Sequence, residues 1–233
     1  MSALLSVVAT PIGNREDITL RALRVFREAD LILCEDTRVA KKLLAYYEIK
    51  TPLLSYHQHS DNLKTEKIKE LLKAGNKLAL ISDAGTPGVS DPGSKLISQL
   101  RETKDLDLKM EIIPGPSALT AALSLAGTGF DRFIFLGFLP HKKGRQTFIS
   151  QIINSKMSFV LYESKHRLLK LLQELSRASE LVGAKKELLI FREISKLHES
   201  VYKGEPDVLL TDLQKDANNL KGEFVVLIKD KNR

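Results

Sequence analysis

The chain has 233 residues, 43% of them hydrophobic and 28% charged, with a formal net charge of +7 at pH 7. That length fills one large α/β domain or two small ones, and the composition is that of a soluble globular protein with a core that needs no staples. A single cysteine, Cys34, excludes an internal disulfide framework, no Cys/His spacing suggests a metal site, and no apolar run reaches the roughly 20 residues of a membrane span.

A reducing, cytoplasmic location is therefore expected, with no membrane partner. The positive excess favours polyanionic partners through long-range attraction and counterion release, which supports nucleic acid without proving it. The first residues, Met1 to Ala9, are apolar but lack a basic leader, and Pro11 and Gly13 cut the run short. A first strand over Leu4–Ala9 is a better reading than a signal peptide.

A helix is expected over Asp17–Ala29, with Ile18, Leu20, Leu23, Val25 and Phe26 on its apolar face. A buried strand at Leu31–Cys34, a helix from Val39 to Tyr47 and a short strand at Leu53–Tyr56 follow. Asp61 starts a helix to about Lys73, with Gly75 placed as its stop; then come a strand at Lys77–Ser82, a helix at Pro92–Glu102 and a strand at Met110–Ile113. Such alternation implies crossovers onto a mostly parallel sheet covered on both faces.

The two prolines of Pro114-Gly115-Pro116 mark a boundary, giving an N-terminal α/β domain over 1–115 and a C-terminal α/β domain with a mixed sheet over 116–233. In the second part, strands are expected at Phe133–Phe138, Ser158–Tyr162, Leu188–Arg192 and Phe224–Ile228, with a weaker one at Val201–Lys203. Helices are expected at Gly144–Ile153, Arg167–Leu175 and Pro206–Leu213.

Ligands of open parallel sheets bind beyond the carboxyl ends of the strands. Four strand-end loops of the first half are unusual: Thr10-Pro11-Ile12-Gly13-Asn14, Glu35-Asp36-Thr37-Arg38, the long run from Asp83 to Gly93, and Pro114-Gly115-Pro116-Ser117-Ala118. Prolines and glycines there suit a rigid platform, although any α/β domain needs turns. No G-x-x-x-x-G-K-[ST] and no G-x-G-x-x-G after the first strand is present, so a P-loop or an ordinary dinucleotide site does not fit. Asp83 and Asp91 would repel phosphate and tolerate a cationic ligand such as a sulfonium.

Other polar groups carry two readings each. Glu35-Asp36-Thr37-Arg38 reads as a helix cap with a surface ion pair or as a site. The Tyr56-His57-Gln58-His59 run lacks a partner cluster, so metal is rejected. Glu163 of Tyr162-Glu163-Ser164 lines a cleft or caps a helix, and the charges from Arg192 to Glu199 read as an exposed face. His141-Lys142-Lys143-Gly144-Arg145 is a phosphate-contacting loop or a solvated helix start.

These runs resemble the bacterial small-subunit rRNA 2′-O-methyltransferases of the I type, which share the tetrapyrrole methylase fold. The match includes Ser82-Asp83-Ala84-Gly85-Thr86-Pro87, Ser90-Asp91-Pro92-Gly93, Pro114-Gly115-Pro116-Ser117, Gly137-Phe138-Leu139-Pro140, Tyr162-Glu163-Ser164, Arg192-Glu193 and Lys221-Gly222-Glu223, in order along nearly the whole chain. The resemblance implies a homodimer of two-domain subunits with S-adenosylmethionine in the cleft between the domains. It further implies 2′-O-methylation of a cytidine in the decoding region, on small-subunit rRNA or the assembled subunit.

Carried over by position, cofactor contacts are expected from Pro11, Asp83, Thr86, Pro87, Ser117, Ala118, Tyr162, Arg192 and Glu223. Glu35, Asp36, Arg38 and His57 are expected on the acceptor side, where a carboxylate or His57 takes the proton, and Arg38, Lys142, Lys143 and Arg145 on RNA phosphates. Two departures stand out: Lys165 replaces the proline often found after Tyr-Glu-Ser, and the chain stops at Arg233, without the helical extension of longer members. A tetrapyrrole-precursor methylase and a non-catalytic RNA-binding protein with the same fold are the competing readings.

Overall fold

The computed structural model describes residues 3–57, 62–91, 93–105 and 107–231. The expected helix start at Asp61, and His59 and Pro92, lie outside the described residues. The chain divides into two compact units, Met1–Ser117 and Ala118–Arg233.

In the first unit the short apolar runs form strands β1 (Ala3–Val8), β2 (Leu31–Cys34), β3 (Leu53–Ser55), β4 (Lys77–Leu80) and β5 (Leu108–Ile113). They pair in the order β3-β2-β4-β1-β5, every pair parallel. Helices α1 (Leu20–Glu28), α2 (Thr37–Tyr46), α3 (Asn62–Lys73) and α4 (Gly93–Arg101) make the crossovers. Ala22, Val25 and Phe26 of α1 and Ala40 and Leu44 of α2 pack on one face with Val8, Ile32, Cys34, Ala79 and Ile113. Ile68 and Leu72 of α3 and Leu96 and Leu100 of α4 cover the other, against Leu5, Val7, Leu33, Leu78 and Leu80.

This division of helices fixes where a ligand belongs. From β1 the chain leaves towards β2 over one face; from β4 it leaves towards β5 over the other. Neighbouring strands whose crossovers part in this way open a crevice at their carboxyl ends, and here they are β1 and β4.

The second unit begins with α5 (Ala118–Leu125), a helix the sequence pattern did not announce. Strands β6 (Phe133–Phe138), β7 (Ser158–Ser164), β8 (Lys186–Arg192), β9 (Ser200–Gly204) and β10 (Glu223–Asp230) follow, with α6 (Arg145–Asn154), α7 (Leu168–Val182) and α8 (Pro206–Gln214) between them. The order is β6-β7-β10-β8-β9; only β6 and β7 run parallel, so the sheet is mixed. Its main core joins Ile149 and Ile152 of α6, Leu168, Leu171 and Leu175 of α7 and Leu209 and Leu213 of α8 to the buried side chains of β7, β8 and β10.

The caps explain the shifted ends. The helix expected from Asp17 starts at Leu20, because Thr19 accepts a hydrogen bond from the Ala22 N–H at 3.0 Å and Arg15–Asp17 close a separate 3-10 turn. Helix α7 runs on to Val182, where Gly183 takes a left-handed conformation (φ +65°). Among the described residues, no helix is long and apolar enough to cross a membrane.

Candidate functional site

The carboxyl edge of the first sheet gathers the strand-end loops into one bonded cluster. Thr10, just past β1, and Gly85, past β4, exchange backbone hydrogen bonds of 2.9 and 3.1 Å. The Thr86 hydroxyl donates to the Pro116 carbonyl at 3.1 Å, tying in the loop after β5. Past β2, the Asp36 N–H donates to Asp83 Oδ1 at 3.0 Å. Gly85 holds φ +81°, and a Cβ there would stand 3.3 Å from the Ile12 side chain, so the loops meet at a point only glycine fills without strain.

Asp91 serves the loop itself. Its carboxylate accepts the N–H groups of Gly88 and Gly93, each at 2.8 Å, so it braces the long turn. Asp83 is exposed, and Pro87, further along the same loop, is buried. Pro11 and Ser117 are half-buried on the same edge.

Negative charge concentrates here. Glu35 is partly buried, and its carboxyl is pushed up to about 7 by that burial and then by the charges of Asp83 and Asp91, against one hydrogen bond from the Asp83 backbone. The Cys34 thiol is raised to about 11 by burial and by Asp83, Asp36 and Glu35. Asp36 behaves oppositely: it caps α2 through the Arg38 N–H at 2.8 Å, holds the Arg38 guanidinium at 2.6 and 3.0 Å, and is drawn down to about 2. Glu35 is thus suited to exchange a proton near neutral pH, and Asp36 is not. Arg38 is itself exposed, and His57 is exposed beyond β3.

In the second unit, antiparallel pairing sets Glu223 opposite Ser164 and Phe224 opposite Arg192, so Tyr162, Arg192 and Glu223 share one sheet edge. Tyr162 meets the rings of Phe135 and Phe138 at 5.1 and 5.5 Å between centroids. The Arg192 side chain is buried and donates to the Lys221 carbonyl at 2.7 Å and the His198 carbonyl at 2.8 Å. The charges after Arg192 are no plain exposed face. Glu193 accepts the Glu223 N–H at 2.9 Å, and Lys196 bridges Glu193 and Glu223 at 2.9 and 2.8 Å. Glu193 and Ser195 also carry positive φ, of 53° and 66°. Nothing in the alternating charges signals that strained loop.

Gly222 makes the loop testable. At φ +107°, a Cβ would fall 2.5 Å from the Glu193 side chain. Gly222→Ala is expected to destabilise the protein by about 1–3 kcal/mol, read from urea unfolding midpoints.

The basic loop before α6 divides. Lys142 and Lys143 are exposed. The expectation that Arg145 meets RNA phosphate is corrected: its side chain is 3% exposed, held by Glu174 at 2.7 Å and facing Glu163 at 3.7 Å. Arg145 starts the inward stripe of α6 that continues through Ile149 and Ile152, which is why it points away from water. Glu163 neither lines an open surface nor caps a helix with its side chain; it is fully buried and paired also with Arg167 at 3.3 Å.

Comparison with known proteins agrees with this architecture. Residues 4–208 match the family of Tetrapyrrole (Corrin/Porphyrin) Methylases. The chain is 42% identical over 225 residues to a ribosomal RNA small subunit methyltransferase I of Rickettsia prowazekii, covering 96% of this chain and 77% of that protein. It is 41% identical to the protein of that name from Thermotoga maritima, covering 97% and 98%. Among solved structures, a diphthine synthase superposes with TM-score 0.74 at 17% identity over 99% of this chain and 90% of that one. The methyltransferase CobJ does so with TM-score 0.70 at 19% identity over 99% and 95%. At those identities the superpositions speak for the fold alone, whereas the two relatives near 40% speak for the kind of enzyme. The chain belongs to the tetrapyrrole methylase family and, within it, to the ribosomal RNA small subunit methyltransferases I.

Proposed function

We propose that the protein transfers a methyl group from S-adenosylmethionine to the 2′-hydroxyl of a cytidine ribose in the decoding region of small-subunit rRNA. Membership of the methyltransferase family supports the reaction class, and the relatives' shared name supports the rRNA. The observation that carries the chemistry is Glu35, a carboxyl titrating near 7 at the carboxyl edge of β2 beside Asp83.

The residues present fit the cofactor. The exposed Asp83 carboxylate suits a ligand bearing a sulfonium and an ammonium, and among the described residues the edge offers no basic cradle for a triphosphate. When bound, S-adenosylmethionine supplies an electrophilic methyl group. Pro11, Asp83, Thr86, Pro87 and Ser117 would hold it from the first unit, and Ala118, Tyr162, Arg192 and Glu223 belong to the same proposed set. Glu35 accepts the proton of the ribose hydroxyl as the acceptor oxygen is aligned, Arg38 and Asp36 fix the start of α2, and His57 stands on the acceptor flank. Lys142 and Lys143 contribute phosphate contacts, and the working form is a cytoplasmic homodimer.

Calorimetric titration with S-adenosylmethionine tests the site: saturable binding is expected for the native protein and its loss for Asp83→Ala and Ser117→Tyr. Well-folded native protein that takes up no cofactor would overturn the reading. Unmodified small subunits should then accept label in a form resistant to alkaline cleavage, because a 2′-O-methyl group blocks the attack of that oxygen on the neighbouring phosphate. Label transferred instead to a tetrapyrrole precursor would favour the small-molecule reading, which the fold alone leaves open.

A further inference from the structure

Helix α2 leaves the candidate site directly after Glu35-Asp36, and its outer side has an unusual composition. Its sequence, TRVAKKLLAY, contains three cations and no acid. Buried Ala40 and Leu44 fix the inner face, so Arg38, Lys41, Lys42, Ala45 and Tyr46 all lie on the exposed arc. Arg38 and Lys42 stand four residues apart, about 6 Å along the axis. Lys41 and Lys42 make no ion pair among the described residues, and Arg38, held by Asp36, leaves its side chain 86% exposed.

The helix ends in an aromatic group that faces solvent. Tyr46 is 55% exposed, and the Arg15 guanidinium lies over its ring at 4.6 Å from the centroid. Tyr47 packs edge-on against Tyr46 at 4.9 Å, and its hydroxyl donates to the Arg15 carbonyl. The stack is therefore anchored to the 3-10 turn at Arg15–Asp17. Arg38 in the first turn and Lys41 and Lys42 at mid-helix gain nothing from the helix dipole, and an exposed tyrosine adds nothing to a core. Both are accounted for by a polyanion that carries stackable rings.

We propose that the outer face of α2 with Arg15 is a platform for single-stranded RNA, with phosphates on Arg38, Lys41 and Lys42 and a base stacked on the Arg15–Tyr46 pair. The platform rests on the RNA reading above and adds the direction of the strand. Nucleotides flanking the reacting ribose run along α2 away from Glu35.

Fluorescence anisotropy with a labelled single-stranded RNA dodecamer, titrated over a series of KCl concentrations, tests it. Lys41→Ala/Lys42→Ala should lower the salt slope by about 1.4, two contacts at about 0.7 each on a single strand. Tyr46→Ala should weaken binding about five- to hundredfold without changing the slope, and Tyr46→Phe should restore it, since the ring and not the hydroxyl stacks. Both sites are exposed, so the variants should melt like the native protein. Native protein that binds RNA while these variants match it in affinity and slope would overturn the platform alone. Native protein with no affinity for the dodecamer or for small-subunit rRNA at low salt would overturn the RNA reading as well.

Discussion

Glu35→Gln is expected to lower methyl-transfer turnover by about 10²- to 10⁴-fold, with S-adenosylmethionine affinity little changed. The substitution keeps the shape of the side chain and removes its capacity to take a proton. In the native enzyme, turnover should rise with pH through a limb near 7, because the active form is the carboxylate and burial with Asp83 and Asp91 holds the acid form up to about that value. Asp83→Asn removes the largest of the neighbouring charges and should move the limb to lower pH, although it also weakens the cofactor site and must be read at saturating cofactor.

Stability gives an independent reading of the same group, of opposite sign. A carboxyl whose folded-state value lies above its unfolded one stabilises the fold only while it is protonated, so its contribution is lost as pH rises through about 7. Glu35→Gln should therefore melt higher than native protein at pH 8, and the difference should vanish below pH ~4, where the unfolded chain is protonated too. A variant that loses activity and gains no stability at pH 8 would show Glu35 to be ionised at little cost, and so not the base described.

The second large effect belongs to the buried charges of the second unit. Glu163 is fully buried between Arg145 and Arg167, and Arg145 is 2% exposed. Arg145 Nη2 and Glu163 Oε2 have no hydrogen-bond partner among the described residues, so the pair is already imperfectly satisfied. Glu163→Ala removes the counter-charge that Arg145 and Arg167 share, leaving Arg145 with Glu174 alone, and is expected to destabilise by about 3 kcal/mol in urea unfolding. Arg145→Ala should do comparable damage and leave the salt dependence of RNA binding unchanged in whatever fraction remains folded. A stable Arg145→Ala protein with a lower salt slope would return that residue to the RNA surface.

What the sequence made legible follows from which signals are local. Strands β2 and β6 fall where their apolar runs lie, and the strand-end loops lie on one edge because the first sheet is parallel. Helix α5 was not legible: Ala-Leu-Thr-Ala-Ala-Leu-Ser-Leu is apolar nearly all round and has no amphipathic period to detect. The tail of α7 escaped because Leu181 and Val182 point to solvent and break the stripe. Arg145 misled because His-Lys-Lys-Gly-Arg looks like one basic patch, while its partners Glu163 and Glu174 lie 18 and 29 residues away (163 − 145 and 174 − 145). The division of labour between Glu35 and Asp36 is likewise invisible in the string, since it depends on which carboxylate meets Arg38 and which faces Asp83.

The strand order also has a consequence for biosynthesis. Strand β1 is made first, yet its two neighbours are β4 at residues 77–80 and β5 at residues 108–113. Until residue 77 has left the ribosome, the Ala-Leu-Leu-Ser-Val-Val segment has no native strand beside it, and β1 stays single on one side until β5 arrives. A nascent chain of this protein thus carries an apolar, pairing-competent segment through about half of its synthesis, the state in which chains aggregate or engage chaperones. The first sheet is complete only when β5, its last-made strand, has arrived.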